Sequence, residues 1–388
     1  MKKIKGNEKT VKNNMKYDLV NLLDEILAEG KYSNIQLNHY FSTRNYTRKE
    51  RMFVTNVINI VLKNLIYIDY LLEKTTRNIQ KRKIKQLLRI SVAQLFFMES
   101  DNAGVLFEAG EIAKKINSHQ VGFVNAVLQN VLKNKEEIDA QIPEDKKDGI
   151  LNSYPQWFVN KLKIDYPENY LDIMKSYKTR SYLSVRYSPK KLTKEKFEEI
   201  LEKIGTEILF SVDEVYYLSN ANIFETEEYL KGDIVIQDAS SYLAVKNLEI
   251  TENETVLDAC SAPGGKSLAI LQTFNPKLLV ATDIHEHKIK ILNKLKRKYE
   301  FDNFEIVLND ATQIENLNKQ FDKILLDVPC SGLGVLRKKP EKIYNLTVND
   351  IRKLKKIQKK IFDSAYKVLK SNGTIIYSTC TFSKNENT

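Results

Sequence analysis

The sequence predicts an all-α N-terminal domain, a small α+β module and a C-terminal domain built on a parallel α/β sheet. Three observations predict it. Apolar residues recur at three- and four-residue steps as far as Asn134, short β-rich runs separated mostly by helical patterns follow Asp233, and two of the three cysteines close such runs.

The helical reading rests on spacing. Val54, Val57, Ile58, Val61, Leu62 and Leu65 fall on one face of a helix, as one buried stripe requires. Leu87, Leu88, Val92, Leu95 and Phe96 repeat the pattern, as do Phe123, Val124, Val127, Leu128 and Val131. Proline is absent until Pro143, and the charged stretch from Glu136 to Gly149 reads as a linker. A helix is expected to start around Tyr154–Phe158. Tyr182–Tyr187 alternates as a strand, Lys194–Ile204 is helical, and Ile208–Phe210 and Val215–Leu218 are short strands. The expected boundaries are 1–140, 150–232 and 233–388. In the last region the runs Glu254–Asp258, Leu278–Asp283, Glu305–Leu308, Lys323–Asp327 and Thr374–Ser378 alternate with mostly helical patterns, which implies a parallel sheet.

Composition narrows the class. With 42% hydrophobic and 29% charged residues, the chain reads as a soluble globular protein. No apolar run approaches a membrane span, and the basic start Met1–Glu8 lacks the apolar core of a signal peptide and is expected to be disordered. A cytoplasmic protein, and a monomer, are expected. The three cysteines lie 70 and 50 positions apart, so neither a zinc site nor a disulfide framework is expected. The formal net charge of +11 fits a polyanionic partner, as clustered Lys and Arg neutralise phosphates. Ten Lys/Arg between Arg337 and Lys360, against only Glu341 and Asp350, place this field directly after Cys330.

The carboxyl ends of parallel strands line a ligand crevice. The first strand runs into Asp258-Ala259-Cys260-Ser261-Ala262-Pro263-Gly264-Gly265-Lys266-Ser267 and then a helix. Two glycines allow close approach of a ligand, and the helix start offers free N–H groups. It is neither a P-loop nor a G-x-G-x-x-G fingerprint. Asp283 ends the second strand, Asn309-Asp310 follows the third, and Asp327 ends the fourth, shortly before Pro329-Cys330. Each aspartate alone could cap a helix; together at strand ends they fit a nucleoside cofactor. Cys330 and Cys380 both close strands, which points to covalent chemistry in one crevice.

The runs Asp258–Lys266, Asp327-Val328-Pro329-Cys330-Ser331-Gly332-Leu333-Gly334 and Ser378-Thr379-Cys380-Thr381 resemble the signature motifs of RNA 5-methylcytosine methyltransferases. Within these, the chain is most similar to the bacterial small-subunit ribosomal RNA methyltransferase B (RsmB/Sun) group. Gly122–Leu128 and Leu88–Leu95 resemble helices of that group's N-terminal NusB-like domain. The resemblance implies a Rossmann-like methyltransferase domain, S-adenosylmethionine as cofactor and 16S ribosomal RNA as partner. It places Cys260, Ser261, Ala262, Pro263, Gly264, Gly265 and Lys266 around the cofactor's methionine and ribose. Asp283 then holds the ribose, Asp310 the adenine, and Asp327 lies between cofactor and target base.

The chemistry accounts for the residue types. Carbon 5 of cytosine is a poor nucleophile until a thiolate adds to carbon 6. Residue types alone leave open which cysteine attacks; the resemblance assigns attack to Cys380 and help in release to Cys330. By residue type alone, Cys260 reads rather as a small buried filler. Among His39, His119, His285 and His287 none stands near Cys380 in sequence, so no activating base is named. Arg337, Lys338 and Lys339 are candidates for RNA phosphate. Tyr17, Tyr40, Tyr46 and Tyr67 could stack on bases, with packing the simpler account. Two rival readings are the same chemistry on tRNA or another RNA, and a non-catalytic RNA-binding assembly factor. One departure stands out. The sequence stops at Thr388, where similar enzymes continue with a helix and two strands, so a truncated domain with an exposed sheet edge is expected.

Overall fold

A computed structural model of the chain describes residues 4–387, with side chains from Met15 onward. Met1–Lys3 of the basic start lie outside the described residues. From Ile4 the backbone is helical, which departs from the disorder expected there. The helix Ile4–Ala28 is anchored by Leu19, Leu22, Leu23 and Ile26, all nearly fully buried. Extending an established helix is far cheaper than starting one.

The chain forms two compact units, residues 1–179 with 333–347 and residues 180–332 with 348–388. The first unit is helical. Its main helices after Ile4–Ala28 are Ser33–Thr43, Arg48–Lys63, Leu65–Thr75, Arg82–Phe97, Asn102–Ile116 and Val121–Ala140. The predicted stripe supplies its core: Val57, Ile58, Val61 and Leu62 have no exposed surface. Thr47 and Glu50 cap Arg48–Lys63 reciprocally, satisfying two N–H groups that the helix start leaves free. Pro143 is followed by a 3₁₀ turn and the helix Lys147–Asn152, so the expected linker is structured. Among the described residues no single helix is long and apolar enough to cross a membrane.

Residues 333–347 pack with this unit. Glu341, 1% exposed, accepts the backbone N–H of Ser33 at 3.0 Å and its hydroxyl at 2.9 Å. Tyr344 donates its hydroxyl to the Leu62 carbonyl, and Arg337 donates Nε–H to the Ser176 carbonyl at 3.1 Å.

The second unit holds two sheets. Strands β1 (Leu183–Tyr187), β2 (Ile208–Val212), β3 (Val215–Leu218) and β4 (Ile234–Ile236) form an antiparallel sheet in the order β2-β3-β1-β4. Phe197 and Leu201 of the helix Lys194–Lys203 pack on it with Val185, Tyr216 and Leu218. Strands β5 (Thr255–Ala259), β6 (Leu278–Asp283), β7 (Phe304–Leu308), β8 (Phe321–Asp327) and β9 (Leu369–Ser378) are parallel, in the order β7-β6-β5-β8-β9. Its inner strands bury both faces. Val256, Leu279, Ala281 and Leu325 pack with Ala269, Ile270 and Leu292 of two helices. Leu257, Val280, Ile324 and Leu326 pack on Ile361 and Ala365 of the helix Val348–Lys367. This is the Rossmann-like fold the sequence predicts. Strand order reverses between β5 and β8, and a ligand crevice lies at such a reversal. The edge strands of the described sheet are β7 and β9.

Candidate active site

The residues beyond β5 turn sharply. Cys260 has φ +75° and Gly264 φ +101°, and Gly264 caps the helix Gly265–Thr273. A Cβ at Gly264 would stand 2.9 Å from Leu292, so glycine is required there by packing as well as by conformation. At Gly265 a Cβ would meet nothing within 4 Å. Packing does not demand glycine there, and the backbone is left open on that side. Cys260 and Ser261 both donate backbone N–H to the Thr282 carbonyl, at 3.1 and 2.8 Å, which ties this turn to the end of β6.

Asp283, at the end of β6, is 4% exposed; its carboxylate accepts the His285 N–H at 3.1 Å and Lys288 Nζ at 3.2 Å. Asp310 follows β7, and its Oδ1 accepts the N–H and the hydroxyl of Thr312, both at 2.9 Å. Lys266 pairs with Asp327 Oδ2 at 2.7 Å across the reversal between β5 and β8. The open glycine turn, the sequestered acid at β6 and the lysine–aspartate pair fit a cofactor with a ribose and a charged amino-acid moiety. Burial first, then Asp258, Asp283 and Asp327, push the Cys260 thiol up to about 12.

The other two cysteines do not close their strands as expected, although both strands end where the expected runs do. β8 stops at Asp327 and β9 at Ser378, so Cys330 and Cys380 sit three and two residues beyond them. The ladder closes with Val328 donating N–H to the Ser378 carbonyl at 3.2 Å, and Pro329 has no N–H to continue it. Because Asp327 and Ser378 are register partners, the two loops start side by side. They bring Cys330 Sγ within 3.1 Å of Cys380 Sγ, and the Cys380 backbone N–H points to Cys330 Sγ at 3.3 Å. Cys380 is exposed and Cys330 half-buried, and both are free thiols. The Cys330 thiol is pushed well above its usual range, first by its hydrogen bond with Cys380 and then by burial.

Sequence reasoning missed a set of polar residues behind the thiols. Glu386, Ser331, Gln358 and Thr381 are all buried and joined by hydrogen bonds. Glu386 lies in the polar run Ser383-Lys384-Asn385-Glu386-Asn387, where no pattern marks it as buried. Arg337, Lys338 and Lys339 lie in the segment that packs with the helical unit: Lys338 is exposed, while Arg337 and Lys339 are half-buried. Tyr40 and Tyr67 are buried, and donate their hydroxyls to Glu25 and Asp139. Among the described residues no group of three or more His, Cys, Asp or Glu could hold a metal.

A parallel α/β sheet with such a turn, acids at successive strand ends and reactive side chains beyond β8 and β9 defines a nucleoside-cofactor methyltransferase. Comparison with known proteins gives the family. Residues 245–388 match the 16S rRNA methyltransferase RsmB/F family and residues 14–133 the NusB family. The "Probable ribosomal RNA small subunit methyltransferase B" of Bacillus subtilis (strain 168) is 31% identical over 368 residues, covering 92% of this chain and 82% of that protein. The ribosomal RNA small subunit methyltransferase B of Vibrio cholerae is 28% identical, covering 79% and 72%. The crystal structure of PH0851 shares the fold over 96% of this chain and 87% of its own, with a TM-score of 0.77 at 20% identity. A methyltransferase homolog protein from Pyrococcus horikoshii has a TM-score of 0.56 at 26% identity, covering 63% of this chain and 79% of its own. The chain belongs to the ribosomal RNA small subunit methyltransferase B family. It is an RNA methyltransferase, and its cofactor is S-adenosylmethionine.

Proposed function

We propose that this protein methylates carbon 5 of a cytosine in 16S ribosomal RNA through a covalent cysteine–cytosine intermediate. The observation that carries this reading is the pair of thiols 3.1 Å apart beyond adjacent parallel strands. S-adenosylmethionine supplies an electrophilic methyl group on its sulfonium. The turn from Cys260 to Lys266 holds its methionine and ribose, Asp283 the ribose hydroxyls and Asp310 the adenine.

Cys380 is the nucleophile. It is the exposed member of the pair, and Cys330 Sγ stands 3.1 Å from it, within reach to share a proton. A cytosine turned out of its stack offers carbon 6 to this sulfur. The new carbon–sulfur bond makes carbon 5 electron-rich. The Asp327–Lys266 pair hydrogen-bonds the ring nitrogen and passes it a proton that offsets the negative charge addition places there. Once carbon 5 carries the methyl group, a base takes its proton and leaves the electron pair to the ring. The carbon–sulfur bond then breaks, the ring double bond returns, and Cys380 recovers its electron pair. Cys330 assists this release. Lys338, exposed, and Lys339 meet RNA phosphate; Arg337 has its Nε engaged by Ser176.

A pair of variants tests the assignment, with labelled 16S rRNA and S-adenosylmethionine on denaturing gels. Cys380→Ser should lower methyl transfer by at least about a thousandfold and leave no covalent protein–RNA band. Cys330→Ser should accumulate that band. The reverse pattern overturns the roles, and no band in either variant removes the covalent intermediate.

A further inference from the structure

We infer that Glu386 is a positioning residue that sets the spacing of the two reactive cysteines. The inference rests on the cysteine roles proposed above. Glu386 is 3% exposed and lies in the short helical turn Lys384–Asn387, six residues after Cys380. A buried carboxylate is costly unless donors satisfy it. Here the donors come from the residues flanking the other cysteine. Oε1 accepts the Ser331 backbone N–H at 2.8 Å, and Oε2 accepts the Ser331 hydroxyl at 2.5 Å. Gln358 Nε2 donates to Oε1 at 3.0 Å and to the Pro329 carbonyl at 3.0 Å. One carboxylate therefore grips both neighbours of Cys330, Ser331 directly and Pro329 through an amide.

The same network reaches the Cys380 loop. The hydroxyls of Ser331 and Thr381 stand 2.8 Å apart, and Thr381 is the residue after Cys380. Thr381 Oγ1 also accepts the Ser383 N–H at 3.2 Å, and Tyr377 of β9 donates its hydroxyl to the Glu386 carbonyl at 3.1 Å. Ser331 is fully buried and Thr381 8% exposed, so water does not compete for these bonds. Hydrogen bonds to a carboxylate are the strong kind. The path Cys330–Ser331–Glu386 with Ser331–Thr381–Cys380 closes on itself, and the sulfur–sulfur distance is the gap it leaves. Glutamine at this position keeps the shape but removes the charge and turns one acceptor into a donor, so the bonds that hold the Cys330 loop weaken.

A displacement of about 1 Å at a reacting group costs on the order of a hundredfold in rate. Glu386→Gln should therefore lower kcat by about 10- to 100-fold while the KM for S-adenosylmethionine stays within about twofold, because Glu386 touches none of the residues assigned to the cofactor. The fraction of enzyme trapped as covalent adduct, counted per cofactor-binding molecule, should rise toward that of Cys330→Ser. Thr381→Val, which breaks the bond between the loops with little change in volume, should move both readouts the same way by a smaller factor. Counting per cofactor-binding molecule separates positioning from loss of folded protein. A wild-type adduct fraction and kcat per binding-competent Glu386→Gln enzyme, in an assay where Cys330→Ser traps adduct, overturns the positioning role alone. If Cys330→Ser traps none, the cysteine reading fails and this inference falls with it.

Discussion

Asp258 at the end of β5 is fully buried, and its Oδ1 finds no hydrogen-bond partner among the described residues. Oδ2 accepts the Ser267 hydroxyl at 2.6 Å. Burial raises its pKa from 3.8 to about 7, with Ser267 opposing and the charge of Asp327 adding. Below the ordinary carboxyl value both folded and unfolded chains carry the proton, and this group's contribution is fully present. Between that value and about 7 the folded chain keeps a proton that the unfolded chain has lost, so stability falls as pH rises. Asp258→Asn removes the titration. Without cofactor, its melting temperature should exceed the wild type's by several degrees at pH 8, a shift of a few kcal/mol, and the gap should close toward pH 5. A gap that calorimetry finds independent of pH rejects the buried, protonated carboxyl. The Asp258 motif was legible from residue types; its burial without a partner was not, because a strand-end aspartate reads the same in either setting.

Between elements, the antiparallel sheet is tied to the cofactor turn by one side chain. Arg186 of β1 is 1% exposed, and burial lowers its guanidinium to about 10. Nε donates to Gln237 Oε1 at 2.8 Å and Nη2 to Gln272 Oε1 at 2.9 Å. Gln237 in turn donates to the Gly265 carbonyl at 3.2 Å, and Gln272 to the Gly232 carbonyl at 3.1 Å. β1 thus bears on Gly265, the first residue of the helix that follows the turn at Cys260–Gly264. Arg186→Met should cost about 3 kcal/mol of stability, because two buried amide oxygens lose their donors. It should also weaken S-adenosylmethionine binding, measured by calorimetry, by several-fold. Arg186→Lys should restore little, since one ammonium cannot reproduce the fork that meets both glutamines. Unchanged affinity in a folded Arg186→Met protein would refute the link to Gly265. Tyr182–Tyr187 was legible as a strand from its alternation. That Arg186 faces inward to amides was not, because an arginine on a short strand is ordinarily taken as solvent-facing.

Across the whole molecule, a net charge of +11 and a basic block after Cys330 match an RNA substrate. Affinity for 16S rRNA should fall by about a hundredfold or more between 50 and 200 mM salt if several phosphates are neutralised. A filter-binding slope near zero would remove phosphate contacts from the account. Within that basic block Glu341 has a different part: it is buried against Ser33, 308 positions earlier in the chain, and fastens residues 333–347 into the helical unit.

What the sequence by itself determined is local. The three- and four-residue apolar steps, the strand rhythm after Asp233, the glycine turn and the identity of Cys330, Cys380 and Asp327 are all read from neighbouring residues, because helix and strand periods repeat within a few positions. The family resemblance carried by the same short runs led to the cofactor. The tertiary structure decided which side chains meet. Cys330 and Cys380 are 50 positions apart, Ser331 and Glu386 55, Arg186 and Gln272 86. Such pairings leave no period in the sequence, and a polar residue carries no mark of whether folding will bury it. Burial is a property of the packed molecule, and it gives Glu386, Arg186 and Glu341 their roles.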